Sequence, residues 1–178
     1  QHLRPPQRWL AVAPFIMEGL TQKLFDRVRN GANIEPRMCM LVPRRRRLKP
    51  WVRDFRVVWQ RGMVDHPDVN LIFPVESGVA GECFRRKIPI YADPSSMTSP
   101  QQLIGQAKED TGDLTAIVCY PVFEPPATSG KQSGRLIGVL CLDSKSPLAF
   151  SRMQRPHVIP AIHENMRNIS TLISRMLY

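Results

Sequence analysis

Two nearly unbroken apolar runs, Thr115 to Phe123 and Arg135 to Asp143, constrain this chain more than any other feature. A run without polar alternation reads as a strand buried on both faces, so these are expected to be the central strands of a sheet. Glu124 to Gly134, between them, is rich in Pro, Gly, Ser and Thr and reads as an exposed hairpin loop with no core of its own.

Other segments supply the partners of that sheet. From Phe15 to Asn30 the residues Met17, Leu20, Leu24 and Val28 recur at helical spacing, and Gly31 is placed to end the helix. Arg37 to Val42 and Trp51 to Gln60 read as two strands of a hairpin whose basic tip runs from Pro43 to Pro50. Leu71 to Val75 is a short strand, and Ser77 caps a helix from Gly78 to Arg86 whose Val79, Ala80, Cys83 and Phe84 share a face. Ile88 to Ala92 is another strand. The polar stretch from Asp93 to Asp113 reads as a lid containing a short helix begun by Ser99, Pro100 and Gln102. In the last segment Ile162, Met166, Ile169, Ile173 and Met176 are spaced four, three, four and three. That is the rhythm of a coiled-coil seam, provided Pro160 lies in the first helical turn. The order of elements predicts an α+β domain with an antiparallel sheet.

At 178 residues, with 43% hydrophobic and 22% charged residues, the chain suits one globular domain. We assign residues 1–14 to a basic leader or linker and 15–178 to the domain. The start at Gln1 suggests a segment of a longer polypeptide, so adjacent domains are expected as partners. The apolar stretch from Trp9 to Met17 is about half the ~20 residues of a membrane span. Cys39, Cys83, Cys119 and Cys141 sit among apolar neighbours with no C-x-x-C spacing, and His2, His66, His157 and His163 form no ligand motif. No metal site is expected, and the cysteines are expected to be reduced on a cytoplasmic face, free or as part of a membrane-anchored protein. The net charge of +10 attracts anions but names no partner.

Motifs along the chain carry a resemblance. GVAGECFRRKIPIYADP, from Gly78 to Pro94, resembles the middle of a GAF domain, where a Gly-x-x-Gly turn opens a short helix leading to an I-P-I-x-x-D strand. RLIGVLCLDS, from Arg135 to Ser144, is similar to the IGVLxLDS strand of that family. TAIVCYPVF, with Pro121 and Val122, and the step Arg61, Gly62, Met63 fit as well. The resemblance implies a six-stranded antiparallel sheet with the terminal helices packed on one face and a ligand pocket under a lid on the other. It further implies a sensor module that binds a small molecule and signals through dimeric helices. The ligand and any cofactor are left unspecified.

The expected pocket wall comprises Phe73, Val75, Val79, Phe84, Tyr91, Asp93, Val118, Tyr120 and Leu140. The expected dimer helix presents Ile162, Met166, Ile169, Ile173 and Met176. Arg44, Arg45, Arg46 and Arg47 form a basic docking surface, for which nucleic acid is disfavoured because only Trp51 and Trp59 could stack beside the arginines. Gly78 and Gly81 read as a tight turn and close approach. No catalytic residue is assigned. The free methionine sulfoxide reductases, an enzymatic branch of the family, carry a cysteine within the Gly-x-x-Gly turn, where this chain has Val79 and Ala80, and others in the lid, which here has none. The acidic pair of the cyclic-nucleotide branch is missing after Phe150, and the lid offers no cysteine to attach a bilin. A GAF fold that only dimerises or docks partners is the remaining alternative.

Overall fold

The apolar runs become neighbouring strands, yet the middle of the sheet is shared with a third. The computed structural model of the chain describes residues 7–45, 53–63, 70, 72–94, 114–125 and 134–177, with backbone alone at 7–13 and 177. Six strands are present among them: β1 (Pro36–Arg45), β2 (Arg53–Arg61), β3 (Ile72–Pro74), β4 (Ile90–Ala92), β5 (Ala116–Phe123) and β6 (Leu136–Ser144). They form one sheet in the order β3-β2-β1-β6-β5-β4, every adjacent pair antiparallel. The middle pair is therefore β1 and β6, with β5 displaced one place from the expected centre. Arg37 conceals how deeply β1 is buried. It stands opposite Asp143 of β6, and its Nε donates to Asp143 Oδ1 at 2.7 Å, so this buried cation has a carboxylate partner.

Among the described residues four helices accompany the sheet: α1 (Gln7–Arg29), α2 (Gly78–Arg86), α3 (Ala149–Met153) and α4 (Ile159–Leu177). Helix α1 begins at Gln7 and not at Phe15, running through Pro14 despite the ladder bond a proline removes. It ends where expected, with Asn30 and Gly31 at φ of 36° and 80° and the Asn30 N–H donating to the Asp26 carbonyl at 2.8 Å. Pro160 does lie in the first turn of α4. Helix α3 was not expected, because five residues are too few for a readable period.

The faces of the sheet are covered differently. On one, α1 and α4 bury Met17, Leu24, Val28, Ile162, Met166 and Ile169 against Met38, Met40, Val118, Leu140 and Leu142. Each such side chain contributes roughly 1.5–3 kcal/mol by leaving water. On the other face, α2 packs Val79, Ala80 and Cys83 with Leu41, Phe55, Phe73, Val75 and Val139. The helix expected at Ser99, the rest of the lid from 95 to 113, and Arg46 and Arg47 lie outside the described residues.

Candidate functional site

Helix α2 starts at a turn that requires glycine. Gly78 has φ of 69°, and a Cβ on Gly81 would lie 2.6 Å from the Val75 oxygen and the Glu76 carbonyl carbon. Ser77 occupies the N-cap with an extended backbone, but its side chain makes no capping bond. The turn is held instead by its backbone, with Ser77 N–H donating to the Pro74 carbonyl at 3.0 Å and Gly81 N–H to the Ser77 carbonyl at 3.1 Å. At the far end Lys87, at φ of 59°, donates its N–H to the Cys83 carbonyl and sends the chain back into β4. Strand β4 closes the sheet, pairing Ile90, Tyr91 and Ala92 with Cys119, Val118 and Ile117.

Between α2 and β4 lies a cleft of about 450 Å³. Val79, Glu82 and Arg86 of α2 line it, with Ile88 to Asp93 and, from α3, Phe150. This volume falls within the ~300–1,000 Å³ of small-molecule sites, but the cleft is open and the surface it presents is mostly polar, with Glu82, Arg86 and Asp93 set among apolar residues. Glu82 is held along the helix by Arg85 at 2.5 Å and faces Arg86 at 3.7 Å.

Of the nine residues expected in the pocket wall, Val79, Tyr91 and Asp93 meet at this cleft. Phe73, Val75 and Phe84 instead belong to the core beneath α2, where the Phe73 and Phe84 rings each stand 5.5 Å from that of Phe55. Val118, Tyr120 and Leu140 lie on the opposite face, toward the terminal helices. The nine therefore do not line one space. Alternate residues of a strand point to opposite faces, and uniformly apolar runs give no polar residue from which to read the parity. Of the lining residues that sequence reasoning missed, Glu82 to Ala92 lie inside the GVAGECFRRKIPIYADP motif, whereas Phe150 carried no local signal.

Tyr91 joins the cleft to the terminal helices. Its ring lies 5.4 Å from that of His163 on α4, and Tyr120 stands 6.1 Å from the same histidine. Burial, with Tyr120 nearby, pushes the Tyr91 phenol up to about 12. Its hydroxyl is buried with no hydrogen-bond partner among the described residues.

The four cysteines gather on the α2 face. Burial pushes Cys83 up to about 12 and raises Cys119. Hydrogen bonding between thiols, followed by burial, raises Cys39. Contact with Cys119 raises Cys141 well above the ordinary value. All four are buried protonated thiols, although their meeting could not be read from spacings that separate them by many residues.

No protein-family model and no curated protein matches the sequence, but solved structures do. The chain is similar to the GAF domain/HD domain protein of Geobacter sulfurreducens, at 12% identity over 90% of this chain and 94% of that one, with a TM-score of 0.55. It is similar also to the nlh2 GAF domain of A. aeolicus in an inactive state, at 13% identity over 98% of both chains and a TM-score of 0.52. The chain has a GAF-like fold. A third similar structure is the type II free methionine-R-sulfoxide reductase of Thermoplasma acidophilum, at 11% identity over 93% of this chain and 96% of that one, with a TM-score of 0.56. GAF domains and a reductase thus share this architecture, and identities this low show the fold alone.

Within that fold the expected dimer seam is occupied internally. Ile162, Met166, Ile169 and Ile173 are buried in the chain's own core, and Met176 packs against its edge. The spacing of four, three, four and three was read correctly as an apolar stripe, but the surface it covers is the sheet and α1. Of the basic residues, Arg44 and Arg45 are exposed at the end of β1. Among the described residues, no helix is long and apolar enough to cross a membrane, and no group of three His, Cys, Asp or Glu side chains is arranged to hold a metal.

Proposed function

We propose that this chain is a regulatory domain that binds a small molecule in the cleft between α2 and β4 and passes the occupancy to its terminal helices. The observation that carries the reading is the cleft's double membership. Val79, Glu82 and Arg86 belong to α2, while Tyr91 and Phe150 pack against the core of the terminal helices. A ligand that draws α2 toward β4 therefore presses on Tyr91, and through its ring on His163 of α4. The mostly polar lining favours a compact ligand whose charged groups meet Glu82, Arg86 and Asp93. Signalling through a dimer, if one forms, would use a surface other than the buried Ile162 to Ile173 stripe. A cytoplasmic setting suits the protonated thiols.

A reductase role is not proposed. Val79 and Ala80 occupy the Gly-x-x-Gly turn, and the thiols lie in a core where burial disfavours the reactive thiolate. The test is thermal denaturation against a panel of free amino acids, nucleotides and inorganic anions, using the wild type and Ile88→Trp. Ile88 is 42% exposed at the cleft, so the tryptophan plugs the mouth without entering the core. A compound at a hundredfold excess over its Kd should stabilise the wild type by about 2.7 kcal/mol and the plugged variant far less. Equal stabilisation of both would refute the cleft as the site.

A further inference from the structure

All four cysteines of the chain meet under α2, although no two are close in sequence. Cys39 of β1 and Cys119 of β5 each stand directly opposite Cys141 of β6, and Cys83 of α2 packs into the same cluster. The sulfurs of Cys119 and Cys141 are 3.4 Å apart. Directly opposed residues of an antiparallel pair have Cα atoms about 4.5–5.5 Å apart, inside the ~4.4–6.8 Å range a disulfide spans. Closing the bond therefore asks the two side chains to approach to about 2.05 Å without moving the strands out of register.

We propose that Cys119 and Cys141 form an oxidation site, closed by a small two-electron oxidant of the hydroperoxide class into a cross-strand disulfide beneath α2. In the first step the sulfur of one cysteine, having lost its proton, attacks a peroxide oxygen. The O–O bond breaks, the sulfur becomes a sulfenic acid, and the departing oxygen leaves as water. In the second step the other sulfur attacks the sulfenic sulfur, the S–O bond breaks, and a second water leaves. The two thiols together lose two electrons and two protons, all taken up by the peroxide. Both sulfurs are buried, so the oxidant has to be small and neutral and to enter by local opening of the native chain. Burial also keeps the reaction slower than that of free cysteine, since the thiols hold their protons. The sulfurs do not line the cleft, although Ile90, which does, stands opposite Cys119, and the reaction uses no ligand there.

The test treats the full chain, purified reduced, with hydrogen peroxide in native buffer. It is then quenched with catalase, alkylated in denaturant and mapped by mass spectrometry. The expected result is a monomer carrying two alkyl groups where the reduced control carries four, with Cys119 linked to Cys141 and with Cys39 and Cys83 alkylated. The same link should form in the Cys39→Ser, Cys83→Ser double variant and be absent from Cys119→Ser and Cys141→Ser. Circular dichroism should show the fold retained, and a bulky aromatic disulfide reagent should react at less than a tenth of its rate with unfolded chain. Four alkylated thiols in the wild type, a link from Cys141 to Cys39, or a link formed only in denaturant would each overturn the proposal. Wild-type mapping decides the matter even where a single variant fails to fold.

Discussion

The two faces of one sheet are built from the same strands and differ in what covers them. Toward α1 and α4 the strands offer Met38, Met40, Leu140 and Leu142, side chains that meet two long helices and leave no exposed apolar edge among them. Toward α2 the alternate positions carry Cys39, Cys119, Val139 and Cys141, packed with Leu41, Phe55 and Phe73 and covered by a nine-residue helix beside a cleft. Two long helices close one face; a single short helix covers the other and leaves a cleft at its edge against β4. The difference teaches that the division of labour lies in the alternation along each strand, not in separate segments of the chain.

The sharpest way to break the comparison is to charge the sealed face. Ile169→Glu places a carboxylate where no partner or water is available, which should cost more than about 4 kcal/mol and leave the chain unfolded in circular dichroism. A soluble, folded Ile169→Glu monomer would return this stripe to the role of an intermolecular seam.

A smaller effect is expected on the α2 face from alkali. Cys83 ionises near 9.0 when unfolded and near 12 when buried. Above pH 9 the unfolded chain sheds a proton that the folded chain keeps, so its contribution to stability is intact below pH 9 and is lost as pH rises toward 12. Urea titrations across that window should show a loss on the order of 3 kcal/mol that Cys83→Ala reduces. A profile unchanged by the substitution would mean that the thiol is not held in a dry core.

The least effect belongs to the basic end of β1. Arg44 and Arg45 are exposed, so the double change to Ser should move stability by no more than about 0.5 kcal/mol. A larger drop in melting temperature would show that these arginines support the fold and not only its surface.

The order of elements was legible because it rests on local chemistry: the period of α1 and α4, the breaker at Gly31, the glycines at the start of α2, and the apolar runs of β5 and β6. What was illegible depends on pairing. Whether Val118 or Cys119 faces α2 is decided by register with β4 and β6, which an unalternating run does not encode. The register of β1 with β6 likewise brought Cys39 to Cys141 and Arg37 to Asp143. The 3.5-residue stripe of α4 was visible, but intramolecular and intermolecular partners demand the same stripe. Of the cleft, the motif around Val79, Tyr91 and Asp93 could be read; the contribution of Phe150 from α3 could not.

The central claim, that the open side of the molecule is the cleft between α2 and β4, is tested most directly by two-dimensional NMR of the labelled chain. The titrant is the compound of the panel that most raises its melting temperature. The account predicts that resonances of Val79, Glu82, Tyr91, Asp93 and Phe150 shift first and saturate together, with His163 following through Tyr91. Shifts centred on Val118, Leu140 and Met166, on the sealed face, would contradict it.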